Sequence, residues 1–311
     1  MIQGLGTVSQ EFLANLQTLT QQTDTTQEQI SSGRTINQPS DNPGALGDVL
    51  QLEADLGSVN QVSKNLSQVT GQVNTAESAL ESATQVLDQV NSLGVQGANS
   101  TMTAEQRSAL SVQVQQSLSQ LVSLSQTQFD GEYVFSGDDA TQASYQLDLS
   151  NPNGVDRLIT APSTRLIQDA TGVTFAVSLT AQNIFDNRNP DDSLASNNVF
   201  AAVNSLQVAL ANNDQTGITN ALTSLQTAQN YLGQSLQYYG GVQDQLTNAT
   251  SVAEKFQLQY QTSLSQDTST NMATAAVSLT QEQTSMQAAL QAEAAMPRTT
   301  LFDVLGSGTG G

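Results

Sequence analysis

"SSGRTINQPSDNPGALG", residues 31–47, interrupts a chain that reads as helix on both sides of it. Gly33 suits the left-handed end of a first helix, and Pro39 blocks an immediate restart. Asp41 or Asn42 can cap a second helix with Pro43 at its first position. The stretch therefore predicts an elbow between two helices. Arg34 places one of the chain's few positive charges at that corner, where it could bond backbone carbonyls or a carboxylate of a neighbouring subunit. A plain interhelical loop and an elbow that also touches other subunits both fit these residues.

Downstream of the elbow, Leu66, Val69, Val73, Ala76, Leu80, Ala83, Leu87 and Val90 alternate steps of three and four, the spacing of a coiled-coil seam. Ala45, Val49, Leu52, Leu56 and Val59 keep the same rhythm before a phase shift at Val62. One long helix over about 44–94 follows, broken at "GVQGANSTMTAEQ" by Gly94 and Gly97. Thr103 with Gln106 three residues on fits a capping box. A second helix should start there and carry Leu110, Val114, Leu121 and Leu124 to about Gln128, completing a helical hairpin.

The period then changes. "YQLDL", "DRLIT", "TRLIQ" and "VTFAVSL" are short β-prone runs separated by "SNPNG", "AP" and "DATG", which predicts a small antiparallel domain over roughly 135–190. After "DNRNPDD" helices resume, with a stripe of Leu222, Leu225, Gln229, Leu232, Leu236 and Tyr239, punctuation at Gly240–Gly241, and continuation through Val242, Leu246, Ala249, Ala253, Phe256 and Tyr260. A last stripe, Ala276, Leu279, Gln283, Met286 and Leu290, runs to Pro297, which should stop or kink it.

The expected fold is mainly α with a small β insert, a long antiparallel helical bundle or coiled-coil rod built from both chain ends. Its expected domains are 1–40 with 271–311 as terminal helices, 41–134 with 193–270 as a helical rod, and 135–192 as the β domain. The terminal stripes, Leu5, Phe12, Leu16 and Leu19 at one end and Leu279, Met286 and Leu290 at the other, lie among Gln, Thr, Ser and Ala with few charge pairs to support a lone helix. Such seams suit packing among many copies.

Composition removes whole classes of function. A formal charge of −20 across 311 residues, with no basic patch, opposes binding to nucleic acid or to an anionic membrane surface. Histidine and cysteine are absent, so the usual proton shuttle, thiolate nucleophile and soft zinc ligands are missing. No catalytic residue, cofactor or metal is expected. The amino terminus lacks the basic and apolar regions of a conventional signal peptide, and no run approaches the roughly 18 to 20 apolar residues of a membrane span. If the chain is exported, another route carries it.

At this point the residues show a family likeness. "ISSGRTINQPSDNPGALG" resembles the amino-terminal signature of bacterial flagellins and their relatives, through Ser32, Gly33, Arg34, Ile36, Asn37, Ser40, Asp41 and Pro43, with Asn42 in place of the usual second aspartate. "GEYVFSG" is similar to the corresponding run in the hook-filament junction branch of that superfamily, matching at Gly131, Tyr133, Phe135 and Gly137. The closing "MPRTTLFDVL" also resembles that branch at Leu301, Asp303 and Leu305, with Phe302 in the second apolar place.

The resemblance implies a structural subunit that joins hook to filament, leaves through the flagellar secretion channel and works extracellularly in the bacterial flagellum. Implied partners are further copies in a ring or helical assembly, neighbouring flagellar hook-associated proteins, flagellin and an export chaperone, with no membrane insertion. The elbow residues Gly33, Arg34, Ile36, Asn37, Ser40, Asp41 and Pro43 would contact other subunits. Leu279, Met286, Leu290, Leu301, Phe302 and Leu305 would form a terminal interface or a chaperone contact. Filament flagellin is the alternative within the superfamily. An enzyme would need a deep polar pocket in the β insert, since no nucleophile–base pair or phosphate loop is visible. Asp138–Asp139 and Asp191–Asp192 read as solvated turn carboxylates rather than a calcium site. Tyr238, Tyr239, Phe256 and Tyr260 read as bundle core rather than an aromatic groove.

Overall fold

A computed structural model describes residues 2–295, with side chains from residue 10 onward. In chain order its elements are α1 (Ile2–Ser32), α2 (Leu46–Gly97), α3 (Ala104–Ser125), β1 (Gln128–Phe129), β2 (Glu132–Tyr133), β3 (Tyr145–Leu147), β4 (Val155–Arg157), β5 (Leu166–Gln168), β6 (Thr174–Ala176), α4 (Ala181–Ile184), α5 (Val199–Ala211), α6 (Gln215–Thr268) and α7 (Met272–Ala295). Two compact units result. One comprises the residues up to Leu56 and from Leu258 onward, the other Gly57–Gln257.

In the larger unit the predicted seam of α2 is buried from Leu66 through Val90. Thr103 forms the capping box with Gln106 in both directions and starts α3. Gly94 and Gly97 do not break α2. Both lie in its last turns and are buried; a Cβ on Gly94 would collide with Leu222 of α6 and crowd Leu206 of α5, and one on Gly97 would collide with Leu210 of α5, so they are points of close approach. The chain leaves the helix only at Ala98.

Helix α6 also differs from expectation, running unbroken through Gly240 and Gly241. Tyr239 and Val242 on either side are buried, and tertiary packing overrides the low helix propensity of the pair. Its innermost stripe is Ala221, Leu225, Ala228, Leu232, Ser235 and Tyr239, with Leu222, Gln229 and Leu236 half-buried beside it. The small residues allow a closer helix approach than leucine does. Helix α5, which packs on α3, carries "VFAAVNSLQVALA", too uniformly apolar to announce a helical period, and most of it is buried.

The four β-prone runs all become strands, but they pair as separate two-stranded antiparallel ladders rather than as one sheet. The registers are Leu147 with Val155 for β3–β4 and Ile167 with Phe175 for β5–β6. A further hairpin, β1–β2, precedes them and turns at Asp130–Gly131, with φ of 51° and 83°, as a type I′ turn requires. Around them Phe135, Tyr145, Phe185 and Phe200 form a ring cluster, with Phe185 stacked on Phe200 at 5.6 Å and Phe135 edge-on to Phe185 at 6.0 Å.

In the smaller unit α1 packs on α7. The least exposed positions step by four and three on each: Phe12, Leu16, Leu19, Thr23, Thr26 and Ile30 on α1, and Ala275, Leu279, Glu282, Met286, Ala289 and Glu293 on α7. Of the predicted α7 stripe, Leu279 and Met286 turn inward while Ala276, Gln283 and Leu290 face solvent, Leu290 at 51% exposure. The helix is rich in alanine and weakly amphipathic, so its phase is settled by partners. Glu282 is drawn inward by the Thr26 hydroxyl, which donates to its carboxylate at 3.0 Å.

Candidate assembly interface

The elbow is held from both sides. Helix α1 closes with the Gly33 N–H donating to Gln29 O at 2.9 Å while Gly33 takes φ 69°. Asp41 then folds back, one carboxylate oxygen accepting the N–H groups of Asn37 and Gln38, each at 2.8 Å. A turn leading into α2 begins at Asn42, whose side chain accepts the Ala45 N–H at 3.2 Å and whose carbonyl accepts the Leu46 N–H at 3.1 Å. Of the two capping candidates, Asn42 caps and Asp41 braces. Pro43 is the first residue inside that turn, where its missing N–H leaves no orphan donor, and α2 itself starts at Leu46.

The α6–α7 turn meets this corner. The Thr35 N–H donates to Thr268 O at 2.6 Å and the Thr270 N–H to Gly33 O at 3.0 Å, an antiparallel bridge centred on Arg34 and Ser269. Asn271 in turn caps α7, accepting from the N–H groups of Ala273 and Thr274. Ile36 is half-buried and Ser40 exposed. Arg34 is exposed too. The Asn37 amide donates to its carbonyl at 3.1 Å, but among the described residues its guanidinium bonds no carbonyl and no carboxylate.

The "GEYVFSG" residues act within the chain. Gly131 makes the β1–β2 turn, Tyr133 is half-buried in β2, and Phe135 is wholly buried against Phe185 and Tyr239. Gly137, at φ 65°, lies so near Ala161 and Pro162 that a Cβ would strike both carbonyl oxygens. Leu279 and Met286 serve the α1–α7 seam, while Leu290 is free for a further contact. Leu301, Phe302 and Leu305 lie outside the described residues.

The acidic pairs are turn and ion-pair carboxylates. Asp138 accepts the Thr164 N–H at 3.0 Å and hydroxyl at 2.7 Å, and these bonds hold its pKa below the usual carboxylate range. Asp191 is lowered by the Ser193 hydroxyl and N–H, and Asp192 by its two bonds from Arg157 at 3.0 and 2.9 Å. Each is stabilised as an anion, which suits holding a turn rather than moving a proton. Tyr239 is core, with its phenol accepting the Leu179 N–H at 3.1 Å and raised in pKa by burial. Tyr238, Phe256 and Tyr260 are half-buried. The space beneath the "GEYVFSG" segment, bordered by Val73, Arg165 and Tyr239, is about 30 Å³, room for a single water.

Two buried charged residues escaped the sequence reading. Arg107 donates to the carbonyls of Gly97 and Asn99 and to the side chains of Asn213 and Gln215, tying the α2–α3 turn to the α5–α6 turn. The carbonyl-rich end of α2 compensates its charge. Asp186, fully buried, accepts from Tyr145, Asn153, Arg188 and Asn198. Either residue looks like surface charge until the chain is folded.

Residues 7–140 match the family model for the bacterial flagellin N-terminal helical region. No curated protein matches the sequence significantly. Among solved structures, a Vibrio parahaemolyticus protein assigned as a flagellar hook-associated protein is similar with a TM-score of 0.64 at 19% identity, covering 74% of this chain and 100% of that one. Flagellar hook-associated protein-3 from Legionella pneumophila gives 0.60 at 14%, covering 70% and 98%. FlgL from Bacillus cereus gives 0.53 at 17%, covering 70% and 100%. The chain is flagellin-like over its matched region, and its mainly helical fold with a middle set of β-hairpins is shared with these hook-associated structures.

Proposed function

We propose that this flagellin-like chain is a structural, non-catalytic subunit of the bacterial flagellum that joins hook to filament. The observation that carries the reading is the pairing of a flagellin N-terminal region over residues 7–140 with a fold matching 98% to 100% of the length of three hook-associated structures. In this reading the subunit leaves through the flagellar secretion channel and is placed outside the cell. It packs with copies of itself, neighbouring hook-associated proteins and flagellin, and is escorted by an export chaperone.

The terminal segments 1–40 and 271–311 act as its assembly part, 41–134 with 193–270 as its helical body, and 135–192 as its variable insert. The elbow from Gly33 to Pro43 meets neighbouring subunits. Leu279, Met286 and Leu290, with Leu301, Phe302 and Leu305, serve the terminal interface or the chaperone. The seam between α1 and α7 supports this division, because Thr23, Thr26, Glu282 and Glu293 occupy positions where a self-sufficient coiled coil carries apolar side chains. Ordering of the ends is then offset by apolar burial between subunits.

Filament flagellin is the second reading, favoured by the same match over 7–140. Negative-stain microscopy of the full chain under salt conditions that polymerise flagellin separates the two, with a version lacking 1–40 and 271–311 as control. The junction reading expects soluble protein that adds only to purified hook tips. Long filaments from the intact chain alone would make it a flagellin.

A further inference from the structure

The described part of the unit formed by the two chain ends is almost uniformly anionic. Its described residues carry ten carboxylates, Glu11, Asp24, Glu28, Asp41, Asp48, Glu53, Asp55, Asp267, Glu282 and Glu293, against a single cation, Arg34. That cation is exposed, and its guanidinium has no partner among the described residues despite the surrounding acid. Its position is nonetheless fixed. Bonds from Thr35 to Thr268 and from Thr270 to Gly33 pin the backbone on either side, and the Ser32 hydroxyl accepts the Arg34 N–H at 3.1 Å. A long, rotamer-rich side chain is thus projected from backbone that is hydrogen-bonded on both sides.

Of the two roles open to Arg34, bonding local carbonyls is not realised. We infer that Arg34 is an intermolecular contact whose partner is a carboxylate on a second copy of this chain, and that it gives the described part of the terminal units an attractive charge contact. The inference rests on the reading that copies assemble, and it adds which residue and which chemistry join them. Two terminal units approaching each other bring like charge nearly everywhere, which disfavours association. The exception is a guanidinium, whose planar fork matches a carboxylate bidentately and is shed of water at lower cost than an ammonium. Any neighbouring copy offers ten such carboxylates.

The test uses the full-length chain and the variants Arg34→Gln, Arg34→Lys and Arg34→Glu. Lys64→Gln serves as a control that makes the same charge change at an exposed site on α2 in the other unit. Sedimentation velocity reads self-association and thermal unfolding reads the monomer. Because the guanidinium is exposed and bonds nothing among the described residues, R34Q should move the unfolding midpoint by no more than about 2 °C. Self-association should weaken about two- to fivefold in R34Q and more in R34E, with partial retention in R34K. The gap between wild type and R34Q should narrow between about 0.1 M and about 1 M salt, where the screening length falls from about 10 Å to about 3 Å.

Association of R34Q equal to wild type, or an equal loss in K64Q, overturns the inference while leaving an assembling subunit intact. No self-association by the wild type at any salt concentration or on any template removes both this contact and the assembly reading.

Discussion

At the scale of single residues, the charge that matters most to the fold is one the surface never sees. Asp186 has two oxygens and four donors. Tyr145 at 3.1 Å and Arg188 at 2.8 Å share one oxygen, while Asn153 at 2.9 Å and Asn198 at 2.8 Å share the other. The carboxylate thereby ties β3, the 151–154 turn, the chain after α4 and the start of α5 to one point. Burial, reinforced by the adjacent carboxylate, raises the pKa of the Tyr145 phenol, which stays a donor. Asp186→Asn is close to isosteric but turns one accepting oxygen into an amide donor facing other donors, and it removes the buried one of Arg188's two carboxylate partners. Arg188 keeps its second carboxylate partner, Asp192, at 3.6 Å, and the substitution should cost about 2–3 kcal/mol in urea unfolding. In the sequence Asp186 sits within "NIFDNRNPDD", among turn-forming residues of the same type, and nothing local distinguishes a buried aspartate from a solvated one.

At the scale of elements, what could be read ahead was what depends on near neighbours. The capping box at Thr103, the seam of α2 and the four β-prone runs each follow from residues within one or two turns of each other, and each formed, while Asn42 caps a turn that leads into α2 at Leu46. Pairing of the hairpins, the phase of α7 and the clamp made by Arg107 depend on residues far away in sequence, and local pattern carries no record of them. Gly240–Gly241 shows the limit from the other side. Local propensity favours a break, and packing of Tyr239 and Val242 carries α6 through it. Nothing lies within 4 Å of where a Cβ on Gly240 would sit, and its backbone is helical. Gly240→Ala should therefore stabilise the chain by about 0.5–1 kcal/mol, seen as a higher thermal midpoint with no change in helical content.

At the scale of the whole molecule, acid should separate two events. Asp138, Asp148, Asp169, Asp191 and Asp192, all between β2 and α5, have pKa values lowered by the bonds they accept. A lowered folded-state pKa adds stability that is present above the ordinary carboxylate value of about 3.9 and is lost as pH falls through the folded value. The β-hairpin region should then loosen only below about pH 4, whereas the charge of −20 that keeps copies apart fades on the way to the isoelectric point near 4.1. Light scattering should rise before tyrosine fluorescence, uncomplicated by tryptophan, reports loosening; the reverse order would mean the turn carboxylates are not what holds the hairpins. A further consequence concerns time rather than acidity. Thr26 reaches Glu282 across 256 positions of sequence, and Gly33 reaches Thr270 across nearly as many. The unit can close only over almost the whole sequence, and a chain that stopped short of Met272 would have no α7 to offer its own first helix. The pairing of first helix with last is accordingly a contact of very large sequence separation, and closing it carries the loop-closure entropy of almost the whole chain.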